Sequence, residues 1–264
     1  MSPELPDATL SESDGVRFLH LGSIWVQGAM RIRKPQVVEL LYVQRMLASL
    51  LWLPSERLGE GRALQLGLGA GAITRFTHKA LKMPTTVVEL NPQVVDVGRS
   101  WFHLPAEVEV VLADAGRWLH DQAAPQSVRL LHVDLYDHEA AAPVLDSEAF
   151  YADCRRVLDD DGVFSVNLFG RNASYEQSAA RIAAAFGPEH VWSLQPTREG
   201  NTVVVATRAL PLPPHDELLA RAATLEQRYG AFGLAARKWP RMIRVPDTSN
   251  LGVLRSERAS ESSP

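Results

Sequence analysis

The sequence is poor in cysteine, and this scarcity excludes two kinds of site. Cys154 is the single cysteine among 264 residues, so neither an internal disulfide framework nor a zinc site of cysteine thiolates is open to the chain. A lone cysteine inside a helical pattern is most often a small buried apolar residue. Residues 151–158 have that pattern, and we expect Cys154 to lie in the core.

The sequence also lacks a long basic segment and a long apolar run. The net charge is −4, and the short cluster of Arg31, Arg33 and Lys34 is the one basic group that stands out, so we expect no nucleic-acid-binding surface. No stretch approaches the ~20 apolar residues that span a bilayer. Residues 1–15 lack the basic start and apolar run of a signal peptide. These absences predict a cytoplasmic protein without a membrane partner.

The length and apolar content are those of a folded α/β protein. With 264 residues and 46% hydrophobic residues, the chain can bury a full core. Apolar, β-branched runs alternate with segments of helical period over residues 63–207. This alternation predicts a mostly parallel, Rossmann-like sheet of the class I methyltransferase type, covered by helices on both faces. A small β-hairpin or meander over residues 16–32 and a helix over residues 36–53 precede it.

Composition also predicts the boundaries between regions. The two ends are polar and contain proline or serine, which is typical of disorder, and a proline-rich break follows the last strand of the sheet. The expected regions are a flexible N-terminus at 1–14, an N-terminal β flap and helix at 15–58, a Rossmann-like catalytic domain at 59–208, a C-terminal helical extension at 209–254 and a disordered tail at 255–264.

The stretch over residues 63–90 predicts a nucleoside-binding crossover. An apolar strand breaks into a glycine turn at Gly67, Gly69 and Gly71 and resumes as a helix, and the next strand ends on Glu89. Glycines let a ligand approach the backbone without a Cβ in the way, and a helix N-terminus points N–H groups at that ligand. A carboxylate after the second strand accepts hydrogen bonds from a ribose diol. The turn alone also fits the dinucleotide fingerprint, which leaves an NAD-dependent oxidoreductase open.

Acidic residues end three successive predicted strands. They are Glu89, Asp114 and Asp134. Any one of them is compatible with a simple cap of a helix or loop. All three, however, fall at the carboxyl edge of the sheet, where ligands bind in open α/β folds. Together they predict a site for an adenosyl sulfonium compound, with an acid at the ribose, a polar group near the adenine amine and a functional group at the fourth strand.

The chain resembles the spermidine synthases, or polyamine aminopropyltransferases, over residues 16–207, as a member or a divergent paralogue. The most specific match is a pair of aspartates three positions apart, followed about a dozen residues later by a Phe-Tyr helix. The matching segments are 134–137, 147–151, 67–72, 88–92 and 113–115.

The resemblance implies a reaction and an acceptor site. In this family an amine of a diamine or polyamine displaces the 3-aminopropyl group of decarboxylated S-adenosylmethionine from sulfur. Asp134 resembles the family's proton acceptor, and Asp137 resembles a diamine anchor beside Tyr136. Gln27 in the flap and Tyr42 in the following helix match residues that line the amine side.

The resemblance also implies a donor site. Gly67 and Gly69 belong to the turn that approaches the nucleoside, and Glu89 resembles the ribose ligand. Asp114 and the backbone N–H of Ala115 resemble the adenine reader. The resemblance further implies a homodimer.

Two positions depart from the family's pattern. Ala70 stands where the family carries an aspartate that contacts the aminopropyl amine, and this removes a charge-assisted hydrogen bond worth about 1.5–3 kcal/mol when buried. Arg198 replaces an active-site tyrosine. Its charge would repel a diamine unless Glu199 neutralises it or the side chain points away. Whether activity survives these changes stays open.

Three alternatives stay open beside the transferase. An S-adenosylmethionine-dependent methyltransferase shares the sheet and the glycine turn, and the loss of the aspartate at Ala70 brings the chain closer to it. A non-catalytic nucleoside-binding paralogue is the second. The third is a metal site at His132, Asp134 and His138, since the first two share a strand face. A histidine in a buried strand is more often simply hydrogen-bonded, so we expect no metal.

Overall fold

The computed structural model describes residues 5–135, 145–169 and 173–245. The strands are β1 Ala8–Ser13, β2 Val16–Leu21, β3 Gly28–Arg31, β4 Ala63–Leu66, β5 Thr85–Glu89, β6 Glu109–Leu112, β7 Val128–Val133, β8 Leu158–Phe169, β9 Val191–Leu194, β10 Asn201–Thr207 and β11 Ile243–Arg244. The helices are α1 Leu41–Met46, α2 Ala72–Arg75, α3 Pro92–Trp101, α4 Ala115–Asp121, α5 Glu148–Val157, α6 Ala173–Phe186 and α7 His215–Tyr229.

The central sheet has the predicted Rossmann-like architecture. Its eight strands lie in the order β11-β9-β10-β8-β7-β4-β5-β6, and β4 to β8 are parallel. The chain runs outward from β4 through β5 to β6, then returns to β7 on the other side of β4. This reversal creates a crevice at the carboxyl ends of β4 and β7, the usual ligand position in such sheets. The predicted fold class is confirmed.

The N-terminal strands form an antiparallel meander in the order β1-β2-β3. The prediction of a flexible segment over residues 1–14 is wrong for Ala8–Ser13, which pair with β2. The two strands are joined by a two-residue turn, Asp14 and Gly15, both at positive φ, as in tight hairpins. Leu10 packs against the apolar residues below it, which holds this polar strand in place.

Some boundaries differ from the prediction. The helix predicted over residues 36–53 begins at Leu41, because Leu40 has extended backbone angles, and it continues as a 3-10 helix over Leu47–Trp52. The helix after the glycine turn continues as a π-helix over Phe76–Ala80. The C-terminal region adds the strand β11, which pairs with β9, so this region is not wholly helical. The predicted tail at 255–264 lies outside the described residues.

The core lies on both faces of the sheet. One face packs against α1, its 3-10 continuation and α7, and the other packs against α4, α5 and α6. Cys154 is fully buried in the second of these layers, as the sequence predicted. The meander packs separately, with Leu19 and Met30 against Leu68 of the glycine turn and Phe102 after α3. The meander therefore lies directly over the ligand crevice.

Candidate active site

A cavity of about 630 Å³ lies at the carboxyl edge of the sheet, beneath the meander. Among the described residues, four carboxylates line it: Glu89, Asp114, Asp134 and Glu199. No lysine, arginine or histidine of the described segments lines it. Much of the remaining lining is apolar and includes the exposed Trp25 at the tip of the meander. The cavity is thus a partly apolar cleft of negative charge.

The glycine turn closes the floor of this cavity through two residues at positive φ, Gly67 and Gly69. A Cβ on Gly67 would lie 2.3 Å from the carbonyl oxygen of Asp134, and one on Gly69 would lie 3.0 Å from the carbonyl oxygen of Gln27. The glycines are therefore required by the close approach of β7 and of the meander, as well as by the left-handed backbone.

Glu89 is held at the end of β5 by backbone N–H groups. Its Oε2 accepts a hydrogen bond of 2.8 Å from Leu68 N, and its Oε1 accepts one of 2.9 Å from Asn91 N. Burial raises the pKa of this carboxyl, while the backbone hydrogen bonds oppose the rise. These contacts fix the carboxylate beside the glycine turn with lone pairs left for a ligand.

Asp114 caps a helix, which the sequence left open for any one of the three acids. It is the N-cap of α4, and its Oδ1 accepts a hydrogen bond of 2.8 Å from Arg117 N. Asp114 and Ala115 nevertheless both line the cavity. The start of α4 therefore presents a carboxylate and the first N–H groups of a helix to a ligand.

Asp134 is the centre of a hydrogen-bonded group. Tyr42 donates its hydroxyl to Oδ2 at 3.1 Å, and Asn167 Nδ2 donates to Oδ1 at 3.0 Å. Asn201 Nδ2 donates in turn to Asn167 Oδ1 at 3.2 Å. Burial raises the pKa of Asp134, and the bonds from Asn167 and Tyr42 oppose that rise. The carboxylate is thus oriented from two sides, and burial increases its affinity for a proton.

Sequence reasoning missed Asn167 and Asn201. A polar residue inside the otherwise apolar end of β8 was the available signal for Asn167. Its partner Asn201 begins the antiparallel strand β10, whose alignment with β8 the residue pattern does not give.

Gln27 and Tyr42 lie on the same side of the cavity as Asp134. Together with Ala70 they line a recess of about 20 Å³ behind the glycine turn. Gln27 Nε2 is buried and has no hydrogen-bond partner within the described residues. This amide is therefore available to a ligand in the cavity, and Gln27 and Asp134 line the same recess.

Two known proteins that are similar over most of this chain are named for the same activity. A polyamine aminopropyltransferase of Chromobacterium violaceum is 33% identical over 231 residues, which cover 86% of each chain. Another, from Neisseria meningitidis, is 31% identical over 233 residues, covering 85% of each. The chain belongs to the polyamine aminopropyltransferase family. The predicted resemblance is confirmed, and the chain is a transferase of the aminopropyl-transferring type. No protein-family model matches the chain.

Solved structures show that this family shares its fold with methyltransferases. A probable spermidine synthase of Corynebacterium glutamicum aligns with a TM-score of 0.67 at 18% identity, covering 85% of this chain and 91% of the other. Human methyltransferase-like protein 13, in complex with SAH, aligns with a TM-score of 0.57 at 22% identity, covering 81% and 99%. At these identities the likeness is one of fold, so it does not separate the two chemistries.

Ala70, the first departure from the family's pattern, lies where the glycine turn meets the meander. Ala70 is buried, and a Cβ on Gly28 of β3 would lie 2.5 Å from both its Cβ and its backbone nitrogen. The glycine turn and the meander are therefore in direct contact at this point. The contact requires a glycine at position 28.

Arg198, the second departure from the family's pattern, affects the cavity less than the sequence indicated. Arg198 is exposed and is absent from the described lining of the cavity, whereas the neighbouring Glu199 lines it. The condition under which Arg198 would not repel a diamine is therefore met, because the loop between β9 and β10 presents its acid to the cavity and not its arginine.

Three residues of the predicted site, Tyr136, Asp137 and His138, lie outside the described residues.

His132 is buried, and its Nδ1 lies 2.7 Å from Ser165 Oγ. Within residues 5–135, 145–169 and 173–245, no group of three histidine, cysteine, aspartate or glutamate side chains is arranged to hold a metal ion. In the same segments, no helix is long and apolar enough to span a membrane.

Proposed function

We propose that this chain transfers the 3-aminopropyl group of decarboxylated S-adenosylmethionine to an amine of a diamine or polyamine. The observation that carries the proposal is the charge of the cavity, which four carboxylates and no cation line within the described residues. The donor is a sulfonium and the acceptor an ammonium, so a partly buried cleft of negative charge attracts both. A dinucleotide with its anionic pyrophosphate is disfavoured by the same charge.

The donor nucleoside would bind over β4, β5 and β6. Glu89 accepts hydrogen bonds from the ribose hydroxyls, and the Asp114 carboxylate and Ala115 N–H read the adenine. Gly67 and Gly69 let the nucleoside approach the backbone. Glu89 accepts hydrogen bonds from Leu68 N and Asn91 N, which fix its orientation. This supports the arrangement, because the carboxylate needs no reorganisation on binding.

Asp134 would act as the base. An ammonium has no lone pair, so its proton must leave before the nitrogen attacks the methylene carbon bonded to sulfur. The C–N bond then forms as the C–S bond breaks, and the electron pair of that bond stays on sulfur, giving neutral methylthioadenosine. Asp134 takes the proton, and its contacts with Tyr42 and Asn167 support this role by holding it in one position.

The acceptor would bind on the Gln27 and Tyr42 side of the cavity. The free amide of Gln27 is a further polar group for a ligand held there. Tyr136 and Asp137 remain predicted acceptor-binding residues.

A turnover assay tests the proposal. Purified protein is given decarboxylated S-adenosylmethionine with a mixture of diamines and polyamines, and released methylthioadenosine is measured. Amine-dependent release supports aminopropyl transfer. Binding of the donor without release under any amine would favour a non-catalytic nucleoside-binding paralogue and contradict the proposal.

Assembly and location are further proposals. We propose a homodimer in the cytoplasm, without a nucleic-acid or membrane partner. Light scattering after size-exclusion chromatography measures the mass in solution, and a monomer over the working concentration range would contradict the dimer.

A further inference from the structure

Glu199 lies on the opposite side of Asp134 from the other two carboxylates of the cavity. In the sheet order, β5 and β6, which carry Glu89 and Asp114, lie on one side of β7, while β8 and β10 lie on the other. Glu199 belongs to the loop that leads into β10 and lines the cavity there. The proposed donor roles use the first side, so Glu199 faces the space that the donor leaves.

The loop that carries Glu199 is connected to Asp134 by hydrogen bonds. Asp134 contacts Asn167, and Asn167 contacts Asn201. Asn201 then fixes the loop, because Thr197 N donates to the Asn201 carbonyl at 2.8 Å and Asn201 N donates to Thr197 Oγ1 at 3.2 Å. The two residues that flank Arg198 to Gly200 in this loop are therefore held in place relative to Asp134 through the sheet.

The separation fits a linear molecule with two amines. Asp134 and Asn201 are two strands apart, and strand spacing of about 4.8 Å gives a span on the order of 10 Å. A chain of roughly three or four methylene groups between two nitrogens, with a hydrogen bond of about 2.8 Å at each end, covers such a span from Asp134 to the loop beside Asn201.

Glu199 carries its negative charge at this position. A hydrogen bond from its own backbone N–H and another from the Thr197 side chain lower its pKa, and the charges of Arg45 and Arg198 lower it further. Arg45 is buried, and its guanidinium donates to the Gln195 carbonyl. The loop is thus anchored beneath Glu199 by a cation, while the carboxylate stays accessible from the cavity.

We infer that Glu199 binds the distal ammonium of the amine acceptor, so that Asp134 and Glu199 hold the two ends of a linear diamine. This inference rests on the proposed aminopropyl transfer and adds the group that selects the acceptor. A monoamine of the same length lacks the second ammonium and gains nothing from Glu199. The enzyme should therefore prefer diamines, and this preference should be reduced when the Glu199 carboxylate is removed.

The test compares Glu199→Gln with Glu189→Gln on two acceptors. Glu189 is an exposed acid before β9, at the opposite edge of the sheet from the cavity, and is absent from the described cavity lining, so it controls for loss of charge. We expect kcat/KM for 1,4-diaminobutane to fall about 10- to 100-fold in Glu199→Gln. The value for 1-aminobutane and the affinity for the donor should not change, and Glu189→Gln should behave as the wild type.

A parallel binding measurement separates this inference from the proposed function. Calorimetry of each amine, with methylthioadenosine present, needs no turnover. Suppose that the wild type transfers aminopropyl groups. If Glu199→Gln then leaves the diamine preference unchanged, or lowers kcat/KM equally for both amines, the inference is overturned. If the wild type shows no transfer, a loss of diamine binding confined to Glu199→Gln supports the inference, whereas unchanged binding overturns it.

Discussion

The phenol of Tyr42 donates a hydrogen bond of 3.1 Å to Oδ2 of Asp134. Tyr42 lies in the first turn of α1, and Asp134 follows β7, so the contact joins the segment after the meander to the centre of the sheet. Asn167 holds the other carboxylate oxygen. The proposed base is therefore oriented by two elements that are distant in sequence, and its function depends on both.

Replacing Asp134 with asparagine should separate chemistry from binding. The side chain keeps its shape but loses the ability to take a proton, so we expect kcat to fall by about 10²- to 10⁴-fold. The donor affinity, measured by calorimetry, should change little because the proposed nucleoside contacts lie elsewhere. Asp216→Asn, at the exposed start of α7, is the matched control. Turnover at the wild-type rate in Asp134→Asn would remove this residue as the base.

Tyr42→Phe should alter the pH dependence of the reaction. Burial raises the pKa of Asp134, and the hydrogen bonds from Asn167 and Tyr42 lower it, so removing the Tyr42 bond should raise the pKa further. Because the base must be unprotonated, kcat/KM falls as the pH drops through this pKa. The acid limb should therefore move to higher pH in the variant. Tyr229→Phe, in the packing around Phe76, should leave the limb in place. A shift to lower pH would contradict the assignment.

Gly28→Ala should destabilise the contact between the meander and the glycine turn. The added Cβ would lie 2.5 Å from the Ala70 backbone nitrogen, so backbone must move, and overpacking of this kind typically costs about 1–3 kcal/mol. Chemical denaturation measures the loss. Gly230→Ala is the control, because its Cβ would meet nothing closer than 3.8 Å and its φ is −58°. Equal stabilities of the two variants would show that the contact tolerates a side chain.

His132 should make the fold sensitive to acid. Burial lowers its pKa from 6.5 to about 4, so between these values the unfolded state binds a proton that the folded state does not. Stability from this group is complete above pH 6.5 and is lost as the pH falls towards 4, a change of about 3 kcal/mol. His132→Gln should show a shallower acid slope in denaturation, while His215→Gln, which is exposed, should not.

A measurement on the wild type covers the case in which His132→Gln does not fold. NMR titration follows the imidazole directly in the intact protein. Protonation of His132 near its ordinary pKa would contradict the account.

The sequence predicts the sheet well because its strands are buried. Runs such as Val128–Val133 are apolar throughout, as expected of central parallel strands, and helical segments separate them. Glu89, Asp114 and Asp134 could be brought to one edge from the order of elements alone, since parallel strands share a carboxyl edge. The first strand, Ala8–Ser13, was missed because its residues are mostly polar, although Asp14-Gly15 is a recognisable hairpin turn.

The connections within the site could not be predicted in the same way. The contact between Asn167 and Asn201 depends on the antiparallel alignment of β10 with β8, which tertiary packing sets. The orientation of Arg198 away from the cavity and of Glu199 toward it depends on how one loop is anchored at Thr197 and Arg45. The contacts of Asn167 with Asn201 and of Arg45 with Gln195 join residues distant in sequence, and no local pattern encodes them.

Product analysis by mass spectrometry tests the central claim most directly. The protein is offered decarboxylated S-adenosylmethionine or S-adenosylmethionine, each with a mixture of diamines and polyamines. The account predicts methylthioadenosine together with an amine heavier by one aminopropyl unit, and only with the decarboxylated donor. S-adenosylhomocysteine and a methylated product would contradict it, and would show that this cavity supports methyl transfer instead.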